Sequence, residues 1–372
     1  MDFRLTEEQE MLRDGASRFV KEHYGFEQRR ALVKSGAAFS AAHWRHYAEL
    51  GWLALELPEA AGGLGCTMVE TAIVIEQFGS GLVLEPYADT AVCAARIFER
   101  ARDATVGTSL LTDIGEGTLR VALAHTEPHA RYELGAVATI AAPEAGGYRL
   151  SGTKLLVRHA PCADKLVVSA RVAGRTGLAL FLVDRDAPGV NAFAYRLLDA
   201  TPAADITLHE VLVNDEALLV LEDQGEAVLE EAIDRLLVAE SAYALGAMES
   251  VLDTCAEYVK SRVQFGQALY KFQATQHRLA EMFVEIQEVR SILYCAIAHL
   301  DGDAAVRRRM VAAAKSVAAR AGRLVGGLGI QLHGGIGMTE EYRVGHYFKH
   351  LLVFEKLHGD AEFHLGRFVR SA

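Results

Sequence analysis

The stretch Gly326-Gly-Leu-Gly-Ile-Gln-Leu-His-Gly-Gly-Ile-Gly337 is the most informative segment of this chain. Six of its twelve residues are glycine, and because glycine has no Cβ, a ligand can approach the backbone N–H groups closely. Such loops suit a phosphate or a pyrophosphate. A dinucleotide fingerprint would need a strand before the glycines, whereas the residues on both sides have helical periodicity. A plain turn between two packed helices is therefore an equally good interpretation.

A second informative segment lies earlier in the chain and reads Arg262-Val-Gln-Phe-Gly-Gln-Ala-Leu-Tyr-Lys-Phe-Gln273. Arg262 stands at a predicted helix end and offers a guanidinium fork for phosphate. Phe265 offers an aromatic face to a planar ring, in a turn with Gly266. Gln273 begins the next predicted helix. The alternative is an ordinary loop between helices with one exposed arginine.

The distribution of proline divides the chain. All seven prolines precede residue 203, and proline in a helix interior costs about 3 kcal/mol. The proline-free remainder is rich in Ala, Leu, Glu and Arg, which favours a helical bundle. We expect an α+β fold with an N-terminal helical domain (1–118), a middle β-barrel or sandwich domain (119–220) and a C-terminal four-helix bundle (221–372).

Periodicity and turn residues locate individual elements within those domains. Thr6 and Gln9 form a capping-box pattern at the start of the first helix. Further helices are predicted over residues 40–50, 68–79, 226–262, 271–300, 304–330 and 340–356. Strands are predicted over residues 119–124, 147–158, 165–171 and 178–184.

Composition excludes several classes of function. The net charge is −11 at pH 7, so the surface should repel phosphate backbones and we expect no nucleic-acid partner. The five cysteines are scattered, and neither they nor the histidines have metal-ligand spacing, so no metal is expected. The N-terminus is charged and no apolar run is long enough to cross a bilayer. We therefore expect a soluble, cytoplasmic protein with no membrane association.

The two informative segments together resemble the acyl-CoA dehydrogenase family. They read R-x-x-F-G-x-x-L-x-x-F-Q-x-x-Q-H-R-L-A-x-M from Arg262 and Q-L-H-G-G-x-G-M-T from Gln331. The resemblance extends over essentially the whole chain and implies FAD as cofactor, an acyl-CoA substrate and a tetrameric assembly. In the reaction that it implies, a carboxylate removes the α-proton of the thioester and the β-hydrogen leaves as hydride to the flavin. An electron-transfer flavoprotein would then accept the electrons.

The resemblance also implies which residues bind the cofactor. In the family's arrangement, the matching positions hold the ADP half of an FAD that is seated mainly in a neighbouring subunit. In this chain those positions are Arg262, Phe265, Gln273, Gln331, Gly334 and Gly335.

The chain departs from the family where the flavin ring would lie. The family's loop T-E-P-G-x-G-S-D is here Thr126-Glu-Pro-His-Ala-Arg-Tyr-Glu133, so the glycines and the serine are replaced. The family's W-I-T is here Leu155-Leu-Val157, which offers no side-chain hydrogen-bonding group to the ring.

The catalytic base falls on one of two positions. A carboxylate before arginine matches Asp234, which we take as the candidate base, although a local pairing of Asp234 with a basic group is a competing interpretation. The family's other position, a glutamate before glycine near the C-terminus, holds His358, and a simple packing role for that histidine is favoured.

Three hypotheses follow from this combination of intact and altered motifs. In the first, the chain is the small subunit of an α2β2 enzyme, similar to the small subunits of pimeloyl-CoA dehydrogenase and of heterotetrameric dehydrogenases that degrade steroids. A homologous large subunit would then supply the flavin-ring pocket and the base. In the second, it is a self-sufficient homotetramer with Asp234 as base. In the third, it is a non-catalytic structural subunit. Only the similarity to these particular small subunits gives any indication of the acyl group of the substrate.

Overall fold

The computed structural model describes residues 4–371, in which helices come first, strands follow and helices return. The helices are α1 (Glu7–His23), α2 (Phe26–Lys34), α3 (Ala41–Glu49), α4 (Met68–Gly81), α5 (Ala95–Glu99), α6 (Ala104–Gly115), α7 (Gly225–Ser261), α8 (Gln273–Ala298), α9 (Ala304–His333), α10 (Arg343–Lys356) and α11 (Ala361–Arg370). The strands are β1 (Val121–Ala124), β2 (Ile140–Glu144), β3 (Gly147–Arg158), β4 (Lys165–Val172), β5 (Ala179–Asp184), β6 (Val190–Arg196), β7 (Pro202–Asn214), β8 (Leu218–Val220), β9 (Val263–Gln264) and β10 (Gln267–Ala268).

This order confirms the predicted α+β fold. The capping box forms as predicted, with the Thr6 hydroxyl accepting from the Gln9 N–H and the Gln9 side chain accepting from the Thr6 N–H. Each of the four predicted strands is present, as β1, β3, β4 and β5. Six strands were not predicted, namely β2, β6, β7, β8, β9 and β10. Helix α9 extends three residues beyond its predicted end at residue 330, to His333.

The chain forms two compact units, each assembled from separate stretches of sequence. The first unit contains Met1–Ala31, Met68–Val83 and Leu237–Ala372, and the second contains Leu32–Thr67 and Leu84–Leu236. The long helix α7 contributes its first twelve residues to the second unit and the remainder to the first.

The second unit is built on one mixed sheet. Its strands run in the order β6-β7-β3-β2-β4-β5-β8, and β1 pairs with β4. Only the β1–β4 and β2–β4 pairs are parallel. Strand β4 is buried on both faces, as the apolar run Leu166-Val-Val168 requires, whereas the edge strand β6 is mostly exposed. The sheet interior is filled by alternating inward side chains such as Leu150, Phe181 and Ile206.

The first unit is a helical assembly in which α4 touches α7 through two glycines. A Cβ built on Gly79 would lie 2.0 Å from the Tyr243 carbonyl oxygen, and one built on Gly246 would lie 1.8 Å from the Glu76 carbonyl oxygen. Glycine is therefore required at both positions, because any side chain would force the two backbones apart.

Helix α9 lies at the centre of the C-terminal helices and packs against α8, α10 and α11. Its buried residues are mostly small, which lets three neighbours approach it closely. They include Ala312, Ala314, Ala318, Ala319, Ala321 and Gly322. No helix within residues 4–371 combines the length and the apolar character that a bilayer crossing demands.

Candidate functional site

The Arg262–Gln273 segment forms a tight hairpin followed by a helix start. Strands β9 and β10 pair antiparallel, with Gln264 opposite Gln267. The two residues at the tip, Phe265 and Gly266, have φ values of +53° and +81°. A two-residue turn of type I′ needs positive φ at both positions and favours Asn-Gly, so the phenylalanine is held in a conformation that its side chain disfavours. The Phe265 side chain is 89% exposed.

Residues 331–338 form the end of α9 and a short turn. Gly334 caps the helix with a φ of +65°, and its N–H donates to the Ile330 carbonyl. A Cβ built on Gly334 or Gly335 would meet nothing within 4 Å, so this backbone is open to a ligand. Gln331 is exposed and lies nearly one helical turn before Gly334. The segment is therefore both a helix cap and an approachable glycine backbone, and the two interpretations of the sequence are compatible.

The first unit brings these two segments to the same end of its helices. The Tyr258 hydroxyl in the last turn of α7 donates to the His333 carbonyl oxygen at 3.4 Å. Arg262 follows Tyr258 by one turn, and its N–H donates to the Tyr258 carbonyl at 2.8 Å. Gln273 is the first residue of α8 and is exposed, and the adjacent Phe272 ring lies 6.1 Å from the Phe265 ring.

This end of the first unit fits the ADP half of a dinucleotide. An exposed guanidinium at Arg262 suits phosphate, the exposed Phe265 ring suits an adenine face, and the open glycine backbone allows N–H groups to approach a pyrophosphate. Across residues 4–371 no group of three or more His, Cys, Asp and Glu side chains is placed to hold a metal ion.

The loop after β1 in the second unit differs from the family pattern in its side chains but retains backbone conformations typical of glycine. His129 has a φ of +74° and Arg131 a φ of +49°, and these residues stand where the family pattern has glycines. Both side chains are exposed. Left-handed φ costs a non-glycine residue about 1 kcal/mol or more. A ligand would meet an imidazole and a guanidinium here instead of bare backbone.

Residues 155–157 of β3, which stand where the family pattern has W-I-T, have no polar side chain. The Leu155 N–H donates to the Thr126 carbonyl at 2.7 Å, which ties the strand to the loop. Leu156 is also left-handed, with a φ of +54°. The residues present therefore do not fit the flavin-ring half of the cofactor in the way the family pattern would.

A buried ion pair that the sequence analysis missed anchors the same loop. The Lys154 Nζ lies 2.6 Å from Glu127 Oε1 and also donates to the Ser169 carbonyl. Glu127 accepts further bonds from the backbone N–H groups of Ala138 and Thr139. Strand parity could have located Lys154, because residues 148, 150, 152 and 154 of β3 share one face and Leu150 is buried.

The pKa values of this pair are consistent with ionisation at neutral pH. Burial alone would raise the pKa of the Glu127 carboxyl, but the Lys154 ammonium, the Thr139 hydroxyl and the Ala138 N–H together lower it below its ordinary value. Burial lowers the pKa of Lys154 to about 8, against the opposing effect of Glu127.

The two candidate bases occupy different units. Asp234 belongs to the second unit and its side chain is completely buried, while the adjacent Arg235 pairs with Glu56 at 2.7 Å. His358 belongs to the first unit, where its Nε2 lies 3.8 Å from Glu240 Oε1 and its backbone is left-handed with a φ of +54°. The six expected ADP-binding residues all belong to the first unit.

Comparison with known proteins identifies the family. Sequence models for the N-terminal, middle and C-terminal domains of acyl-CoA dehydrogenases match residues 6–105, 122–215 and 223–372. Benzylmalonyl-CoA dehydrogenase from Aromatoleum aromaticum is 29% identical over 302 residues, which are 80% of each chain.

Solved structures give the same result. A variant of the Tcur3481–Tcur3483 steroid ACAD has a chain that is 31% identical, with a TM-score of 0.89 and coverage of 98% of this chain and 97% of that one. The ChsE4–ChsE5 complex from Mycobacterium tuberculosis has a chain that is 28% identical, with a TM-score of 0.91 and coverage of 100% and 98%. This chain therefore belongs to the acyl-CoA dehydrogenases, FAD-dependent oxidoreductases that act on a CH–CH bond of acyl-CoA thioesters.

Proposed function

We propose that this chain is the small subunit of an α2β2 acyl-CoA dehydrogenase and that it supplies the ADP-side clamp for FAD bound mainly by a homologous large subunit. The observation that carries the proposal is an asymmetry within one chain. The open glycine backbone at Gly334 and Gly335 suits the ADP half of FAD, whereas His129 and Arg131 fill glycine-like positions on the ring side.

The chemistry is divided between the two chains in this proposal. FAD, when bound, accepts the β-hydrogen of the acyl-CoA as hydride. Arg262 would pair with a phosphate oxygen, Phe265 would lie against the adenine, and the open backbone at Gly334 and Gly335 would let the pyrophosphate approach. The side-chain amides of Gln273 and Gln331 would donate hydrogen bonds to the cofactor. The large subunit provides the carboxylate that removes the α-proton, and an electron-transfer flavoprotein receives the electrons. The two chain names in the ChsE4–ChsE5 complex support an assembly of unlike subunits.

Purification with and without a co-expressed large subunit tests the proposal. We expect the chain alone to be colourless and inactive, and the complex to be yellow and to oxidise an acyl-CoA. A yellow, active preparation of this chain alone would contradict the proposal.

Substitutions in the complex test the clamp itself. Arg262→Gln and Gln331→Ala should each release flavin on gel filtration, while Arg320→Gln, an equal loss of charge at another exposed position, should not. Retention of flavin by both clamp variants would favour a purely structural role for the chain.

A self-sufficient enzyme is the second candidate, and the completely buried carboxylate of Asp234 on α7 favours it. A catalytic aspartate would accept the α-proton of the thioester directly. In that case Asp234→Asn would abolish turnover by the chain alone while flavin remained bound. An unchanged rate in the Asn variant would remove this candidate.

A further inference from the structure

Three aromatic rings from three elements meet behind the candidate ADP site. Tyr258 comes from the last turn of α7, His333 is the last residue of α9, and Tyr342 is the N-cap of α10. The ring centroids of Tyr258 and His333 are 4.3 Å apart, those of His333 and Tyr342 are 5.0 Å apart, and those of Tyr258 and Tyr342 are 6.3 Å apart. These separations are typical of aromatic pairs in direct contact.

Two rings of this aromatic triad, those of Tyr258 and His333, are joined to segments of the clamp. Tyr258 is one helical turn before Arg262, and its hydroxyl donates to the His333 carbonyl at 3.4 Å. His333 directly precedes Gly334, where the open glycine backbone begins. A displacement of the Tyr258 ring would therefore be transmitted to both the arginine and the glycines.

His333 is fixed in orientation. Its Nδ1 lies 2.8 Å from the Gly329 carbonyl oxygen, so Nδ1 carries the proton and donates. Burial lowers the pKa of His333, so the ring is neutral at pH 7. Among residues 4–371 its buried Nε2 has no hydrogen-bond partner, and such a group costs about 1 to 3 kcal/mol. Stability alone does not explain a histidine at this position.

We propose that the Tyr258–His333–Tyr342 triad sets the geometry of the ADP clamp, with Tyr258 as the positioning residue that couples the Arg262 hairpin to the 334–338 turn. This inference rests on the proposed function, in that it assigns the clamp's geometry to residues that do not themselves touch the cofactor. Tyr258 holds two segments that are 72 residues apart, from Arg262 to Gly334, in one arrangement. FAD then binds two segments that are already ordered, so binding carries no additional entropic cost of ordering them.

Hydrogen exchange on the purified protein, in the assembly in which it is obtained, tests the coupling without any catalytic assay. Tyr258→Leu should accelerate exchange in both 262–268 and 334–338. Tyr258→Phe keeps the ring and should change either segment less than threefold. Tyr294→Leu is the matched control, because Tyr294 is a half-buried tyrosine of the same unit whose hydroxyl contacts Arg290. It should leave both segments unchanged.

Flavin retention supplies the second measurement. We expect Tyr258→Leu to weaken FAD retention by the complex at least tenfold and Tyr294→Leu to leave it unchanged, at similar losses in thermal unfolding midpoint. Faster exchange confined to the end of α7, with the 334–338 turn unaffected, would overturn the inference. Full flavin retention by both Arg262→Gln and Gln331→Ala would instead overturn the proposed function, whatever Tyr258→Leu does.

Discussion

The Lys154 ammonium and the Glu127 carboxylate are 2.6 Å apart, with the Lys154 side chain completely buried and the Glu127 side chain only 5% exposed. Breaking a buried pair costs about 3 to 5 kcal/mol, because the remaining charge has no counter-ion. We expect Lys154→Met and Glu127→Gln each to lower the free energy of unfolding by that amount, measured by denaturant titration. The double variant should lose less than the sum of the two single losses.

The exposed pair Lys165–Asp184 on β4 and β5 is the control for this prediction. Exposed pairs contribute about 0 to 1 kcal/mol, so Asp184→Asn should have little effect. The dependence of the free energy of unfolding on pH in the acid range gives a second check. The pKa of Glu127 is lowered on folding, so its contribution is present above its ordinary pKa of 4.5 and is lost as the pH falls through the lower folded value. Equal losses from the buried and exposed pairs would contradict the assignment.

His364 should make the first unit sensitive to acid. Its side chain is buried, and that burial, aided by the nearby Lys315 ammonium, lowers its pKa from 6.5 to about 3. The His364 imidazole binds its proton at a higher pH in the unfolded chain than in the folded one. Its contribution to the free energy of unfolding is therefore fully present above pH 6.5. Below pH 6.5 the free energy of unfolding should fall by about 1.4 kcal/mol per pH unit towards pH 3.

Chemical unfolding at several pH values measures this slope. His364→Gln should flatten it, whereas His209→Gln, at an exposed position on β7, should leave it unchanged. An identical slope in both variants would show that other groups cause the acid sensitivity. Among those groups, burial also lowers the pKa values of His159 and His333.

Glycine should be stabilising in the loop after β1. His129 and Arg131 have left-handed backbones, which cost about 1 to 2 kcal/mol per residue, while glycine loses about 0.5 to 1 kcal/mol in chain entropy. His129→Gly and Arg131→Gly should each therefore raise the free energy of unfolding by up to about 1 kcal/mol. Ala136→Gly lies in the same loop without a positive φ, so it should be destabilising, and a gain there would indicate a different cause.

Phe265 at the tip of the hairpin should show a conflict between stability and binding. Asparagine tolerates the left-handed conformation and precedes glycine in the most favoured type I′ turns. Phe265→Asn should raise the free energy of unfolding by about 0.5 kcal/mol and weaken FAD retention by the complex. If the thermal midpoint rose and flavin retention did not change, Phe265 would have no role in binding.

Structural features that depend only on residues close together in the sequence were predictable. The glycines that end α9, the capping box of α1 and the apolar run of β4 depend on neighbouring residues. Strand β7 was missed because it contains one extra residue between Leu208 and Val211, where its pairing with β3 shifts register. Such bulges break the alternation of buried and exposed residues from which strands are inferred.

Contacts between distant residues were not predictable. The Tyr258–His333 contact joins residues 75 positions apart, and nothing in either local sequence encodes the other. The ADP-side residues were proposed because each has a suitable chemistry and a recognisable motif. The role of Asp234 depends on the distance from its carboxylate to a substrate carbon, which residue identity does not determine.

The division of the first unit into three stretches has a consequence for biosynthesis. Residues before 32 complete their core only with residues after 236, and ribosomes add about 5 to 20 residues per second. The amphipathic helix α1, whose buried residues include Phe19 and Val20, packs against α4, and this pair then waits at least about 8 seconds for the residues after 236. During translation, the face of α4 that later packs against α7 at Gly79 therefore stays exposed to solvent, and a gene fragment that stops before α7 leaves it uncovered.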